Sequence, residues 1–98
     1  MAKRVIWSKK AADERLEIVK YWLDKTGNNK YSKKLETKFR ETIRNISDNN
    51  YLGKATDIEG VRLSIVSNYL LFYETKREHI EILTLFDSRR NPIDLKLK

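Results

Sequence analysis

The hydrophobic pattern of this 98-residue chain changes period once, at Asp48-Asn49-Asn50, and that change limits the folds open to it. Before it, Ala12, Leu16, Val19 and Leu23 recur at i, i+4, i+7 and i+11, with Ile18 and Trp22 widening the stripe. Tyr31, Leu35, Phe39, Ile43 and Ile46 follow in steps of four and three. Thr26-Gly27-Asn28-Asn29 is the only break between the two stripes, so they predict an antiparallel helical hairpin. Beyond the change, Val61, Leu63 and Ile65 alternate with Arg62 and Ser64, and Tyr69–Tyr73 and Ile80–Phe86 are dense apolar runs. Ser67-Asn68 and Lys76-Arg77-Glu78 punctuate these runs as hairpin turns. Arg4–Trp7 is a further short strand, and Ser8 is placed to cap the helix after it. The order strand, helix, helix, three antiparallel strands predicts an α+β fold of two layers, with the helical hairpin packed on one face of the sheet.

At this length, residues 1–98 form a single domain, without repeat, linker or low-complexity tract. There is no cysteine, which excludes a disulfide framework, a thiolate zinc site and cysteine nucleophile chemistry. The single histidine, His79, cannot supply a paired-histidine metal site, and as a lone turn-side residue it reads as structural. No cofactor is implied. No apolar run approaches the ~20 residues needed to span a bilayer, and the charged N-terminus lacks a signal-peptide core. A soluble, cytoplasmic protein is expected.

The net charge of +7 is unevenly spread: residues 1–49 hold 13 basic and seven acidic side chains, residues 50–98 eight and seven. Lys30, Lys34 and Lys38 repeat every four residues and form one stripe along the second helix, with Lys33, Arg40 and Arg44 nearby. Such a stripe is either a solvated helix face or a surface for nucleic acid or an acidic protein.

With Ser67-Asn68 as a two-residue turn, Val66 pairs with Tyr69, Ser64 with Leu71 and Arg62 with Tyr73. A symmetric turn at Arg77-Glu78 then places Leu63, Ile65, Leu70, Phe72, Leu83 and Leu85 on one face. That aliphatic set is the expected helix-facing core. Arg62, Ser64, Tyr69, Leu71, Tyr73, Ile82, Thr84 and Phe86 fall on the other, uncovered face, where the mixed character suits a binding surface. A slip of one residue would exchange the two lists. Arg62 stands out as a charge within an apolar strand. It is either tied up structurally, by Glu59, Glu81, Asp87 or the Tyr73 ring, or aimed at a phosphate.

Several segments taken in order carry a resemblance: Trp7 closing the first strand, Ala11-Ala12, Tyr21-Trp22, Leu52-Gly53, Val61-Arg62, Tyr69-Leu70-Leu71-Phe72-Tyr73, Ile80-Glu81-Ile82-Leu83 and Ser88-Arg89-Arg90-Asn91-Pro92. Together they resemble the RelE/ParE superfamily of toxins from type II toxin–antitoxin pairs. The family's usual proline before Leu52-Gly53 is replaced here by Asn50-Tyr51. The resemblance implies a toxin neutralised by a cognate antitoxin. One branch cleaves mRNA in the ribosome without metal, using the RNA 2′-OH; the other, ParE-like, poisons DNA gyrase and cuts nothing itself. On the first reading, Arg62 matches the arginine at the scissile phosphate, with Tyr73 and Arg89 as companion catalytic groups. Lys54, Lys30, Lys34, Lys38 and Arg90 would then bind RNA. The tail Ile93-Asp94-Leu95-Lys96-Leu97-Lys98 lacks the histidine or tyrosine that such nucleases carry there. The leading expectation is a ribosome-dependent mRNA endonuclease, with a gyrase inhibitor or a non-toxic nucleic-acid-binding module as alternatives.

Overall fold

A computed structural model describes residues 2–95 and 97. The elements are β1 (Arg4–Trp7), α1 (Lys9–Thr26), α2 (Lys30–Asp48), β2 (Lys54–Ala55), β3 (Val61–Val66), β4 (Tyr69–Thr75) and β5 (His79–Asp87), then a 3₁₀ turn at Pro92–Asp94. The strands form one mixed sheet in the order β1-β5-β4-β3-β2, with the two helices layered on one side. The α+β architecture is the expected one, and the short edge strand β2 adds to it. None of the helices is long and apolar enough to cross a membrane.

Local chemistry sets the boundaries. Ser8 is extended (φ −65°, ψ 159°), and its Oγ accepts the Ala11 N–H at 3.0 Å, starting α1. Gly27, at φ 74°, ends the helix in the left-handed conformation that a side chain disfavours. Ser67, at φ 57°, turns β3 into β4. The resulting register is the predicted one: Val66 opposite Tyr69, Ser64 opposite Leu71, Arg62 opposite Tyr73. β1 pairs in parallel with β5, which joins the first strand of the chain to the last.

The assignment of the faces is corrected. The side beneath the helices carries Val66, Tyr69, Leu71, Tyr73, Ile80, Ile82 and Leu85, packed with Ala11, Ile18, Leu35, Phe39 and Ile46. Burying a Leu or Phe fully in such a layer contributes about 1.5–3 kcal/mol. Leu63, Leu70, Phe72 and Leu83, expected in this core, point to the opposite side with Val61 and Phe86. Ile65 is 72% exposed. That opposite side is apolar as well because the chain end covers it, with Leu95 and Leu97 packed on the cluster. A bulge adds a second correction. Phe72 opposes Thr84 and Tyr73 opposes Ile82, so Leu83 has no partner in the ladder and β5 changes phase. Leu85 thereby joins the helix side and Phe86 leaves it. Glu14 of α1 fixes this bulge, its Oε1 accepting from Thr84 Oγ1 at 2.7 Å and from the Leu85 N–H at 3.1 Å.

The buried face of α1 is also rotated by one residue from the predicted stripe. Ala11, Arg15, Ile18 and Trp22 face inward, whereas Leu16 is 69% and Leu23 38% exposed. Arg15 takes an inward position by laying its guanidinium 5.0 Å over the Trp7 ring and pairing with Glu36 of α2. Its Nε donates to both Glu36 oxygens, at 2.9 and 3.2 Å, and this pairing raises the Arg15 pKa. α2 packs as predicted, with Leu35, Phe39 and Ile46 buried and Tyr31 and Ile43 against the core.

Candidate functional site

Arg62 and Tyr73 lie opposite each other on β3 and β4, beneath the loop that leaves α2. The arginine is therefore on the helix-facing side of the sheet, where the uncovered side was expected. Its Nη1 donates to the Gly53 carbonyl at 2.7 Å and to the Tyr51 carbonyl at 3.4 Å, and its guanidinium stacks 5.0 Å over the Tyr51 ring. No carboxylate pairs with it among the described residues; backbone carbonyls and an aromatic face hold it instead. The loop thus uses the arginine to satisfy carbonyls that a chain turning over a sheet edge would otherwise leave without donors.

Tyr73 is fully buried. Its hydroxyl donates to the Asn50 carbonyl at 3.1 Å and accepts the Gly53 N–H at 2.8 Å, bridging the same loop from below. Burial pushes the phenol above its ordinary pKa, opposed by the Gly53 bond and the Arg62 charge. Position 53 must be glycine for this to hold: a Cβ there would sit 2.6 Å from the Tyr73 oxygen and 3.0 Å from the Leu63 carbonyl oxygen. Both hydrogen bonds of the Tyr73 hydroxyl are thus made within the protein, and the side chain has no solvent access.

Arg89 is elsewhere. It follows β5, at the Tyr69 end of β4, four strand residues or about 13 Å from the Tyr73 end. Its Nε and Nη2 donate to the two Asp87 carboxylate oxygens at 3.0 and 2.8 Å, and its backbone N–H also reaches Asp87. The pair lowers the Asp87 pKa and raises that of Arg89. Arg90 lies over the Phe86 ring at 5.1 Å. Both arginines border an open cleft of about 350 Å³ between α1 and β5, whose walls include Glu17, Tyr21 and Tyr69. Tyr69 is buried there, accepts the Trp22 indole N–H at 2.7 Å, and has its pKa raised chiefly by burial.

The three residues grouped as catalytic thus occupy two ends of the sheet, and only Arg62 and Tyr73 come together. Lys30, Lys34, Lys38 and Lys54 are exposed, and among the described residues none of them forms an ion pair. His79 opens β5 opposite Arg4, beside the turn as anticipated. Of the tail, Lys96 and Lys98 lie outside the described residues. Sequence reasoning named Gly53 only within the resemblance and Asp87 only as a partner for Arg62, and missed the packing of Gly53 against the Tyr73 hydroxyl and the pairing of Asp87 with Arg89. The Asp-Ser-Arg spacing was the available signal for the second, since an Asp side chain readily accepts the N–H two residues on.

Comparison with known proteins gives two matches of different reach. The profile of the family described as the ParE toxin of type II toxin–antitoxin systems, parDE, matches residues 5–92. Among solved structures, a chain from the chromosomal ParDE toxin–antitoxin system of P. aeruginosa superposes with a TM-score of 0.74 at 19% identity, over 88% of this chain and 96% of that one. At that identity the second likeness concerns the fold. No curated protein matches.

Proposed function

The chain belongs to the ParE toxin family of type II toxin–antitoxin systems, and from that premise we propose that it acts by binding DNA gyrase, not by cutting RNA. A cognate antitoxin follows from membership in such a system. The observation that supports a non-catalytic action is the dispersal of the candidate catalytic groups. Metal-independent RNA scission needs a cation on the phosphate and proton-transfer groups within about 3 Å of the reacting oxygens. Here Arg62 is engaged by carbonyls, Tyr73 is sealed with both bonds made, and Arg89 is paired with Asp87 at the other end of the sheet. A ribosome-dependent nuclease would have to dismantle these contacts before acting. The exposed lysine row on α2 is the feature that favours RNA, and a polyanion is only one partner that such a row suits.

Two parallel assays test the proposal. Purified protein is added to a gyrase supercoiling reaction scored for trapped cleavage complexes, and to a coupled translation reaction scored for new mRNA 5′ ends. Trapped complexes with intact message are expected. Message cleaved at codon positions with gyrase unaffected would overturn the proposal and return Arg62 to the chemistry.

A further inference from the structure

The sheet has an unfinished edge. β2 pairs with β3 only at Lys54–Leu63 and Ala55–Arg62, so among the described residues no strand lies beside Ser64–Val66 on that side. The antiparallel alternation set by the Ser67-Asn68 turn sends the peptide groups of Val66, Ser64 and Arg62 toward β4 and those of Leu63 and Ile65 outward. Leu63 finds β2, whereas Ile65 has no strand partner on that side among the described residues. Its side chain is 72% exposed on the face away from the helices, and Leu52, 52% exposed, lies nearby. An open groove of about 310 Å³ runs between this edge and α2, with Thr42, Asn45, Lys54 and Ile65 among its walls.

The charge of the groove comes from α2. Thr42 and Asn45 line it, and Lys38 and Lys34 continue the same helix face one and two turns back. Tyr31, on that face too, sets its hydroxyl 3.3 Å from Ser67 at the end of β3. The lysine stripe therefore runs beside the open edge, and Lys54 stands at the point where β2 begins.

We propose that this edge receives an extended protein segment in which acidic and apolar residues alternate, added as a strand beside Ile65. In a strand, successive side chains point to opposite faces. One set would lie over the helix side, against Lys34 and Lys38; the other would lie on the far side, beside Ile65 and next to Lys54, which shares that face with its partner Leu63. Backbone bonds to Ile65 supply the docking geometry and the alternation supplies the choice of partner. The inference does not depend on which target the toxin poisons.

The test uses the full chain and a synthetic peptide of about seven residues alternating Glu and Val, long enough for one strand. The controls are a peptide of the same composition with its acids in one block, and a single-stranded oligonucleotide of similar charge. Binding is followed by fluorescence anisotropy, and hydrogen exchange at the Ile65 amide reports strand addition. The alternating peptide should slow exchange at Ile65, and Lys34→Glu with Lys38→Glu should weaken its binding by about tenfold or more. Ile65→Pro should abolish binding; if that variant does not fold, Ile65→Lys serves, since edge lysines discourage pairing. Equal binding of the blocked peptide, protection of Ile65 by the oligonucleotide, or alternating-peptide binding without protection would each overturn the proposal.

Discussion

Replacing Tyr73 by phenylalanine separates a structural tyrosine from a chemical one. The ring stays, so core volume is kept, and only the hydroxyl is lost. That hydroxyl is the partner of the buried Gly53 N–H at 2.8 Å and of the Asn50 carbonyl at 3.1 Å. Leaving a buried donor unpaired costs about 1–3 kcal/mol. For a domain of this size each kcal/mol moves the melting temperature by roughly 4–8 °C, so a fall of roughly 4–24 °C is expected by calorimetry or circular dichroism. Growth arrest on induced expression, measured well below the new midpoint, should persist. A variant with an unchanged melting temperature and no toxicity would refute the reasoning, because Tyr73 would then act on a ligand.

Other expectations follow from the same contacts. Because burial raises the Tyr73 pKa, the unfolded chain releases that proton first; stability is present below about pH 10 and is lost as pH climbs through the folded value. Urea titrations should show this loss, and Tyr73→Phe should make it shallower, leaving the part carried by Tyr69, whose pKa is shifted in the same sense. Gly53→Ala drives a Cβ into the Tyr73 oxygen and should destabilise by about 1–3 kcal/mol, read from the denaturant midpoint. Leu71→Ala, beneath the helices, should cost about 2–5 kcal/mol, whereas Ile65→Ala, largely in solvent, should stay within about 0.5 kcal/mol; equal losses would mean that the sheet faces are misassigned. Arg62→Ala should loosen the loop over β4 and raise hydrogen exchange at Gly53 without abolishing gyrase poisoning; lost toxicity in a folded variant would count against the binding mechanism.

The helical hairpin and the β3–β4 register were legible because local chemistry specifies them: a two-residue turn fixes pairing, and α2 has one apolar face. Which side of the sheet meets the helices was not legible. Leu63, Leu70 and Phe72 are as apolar as Tyr69, Leu71 and Tyr73, since the tail residues Leu95 and Leu97 make a second cluster on the far side. Alternation carries no direction when both faces are covered. The bulge at Leu83 was equally silent, because an extra leucine in an apolar run changes phase without changing composition. On α1, Leu16 outcompeted Arg15 on any hydrophobicity scale, yet the arginine had Trp7 and Glu36 to receive it and the leucine had no packing partner in the core. At the site, residue types suggested a cluster that the strands separate: Arg89 is held at one end of β4 and Arg62 at the other.

The parallel pairing of β1 with β5 has a consequence for when this molecule becomes harmful. Translation emits the chain from its N-terminus at ~5–20 residues per second, and β5, which lies between β1 and β4, is the last strand made. Until it emerges, the opening strand and the central hairpin share no neighbour, and the hairpin of helices has only part of its floor. Potency therefore waits on β5, and a product cut short before residue 79 should be inert. For a cell that carries its own poison, an order of assembly that withholds the finished sheet until β5 is made leaves time for a neutralising partner to be at hand.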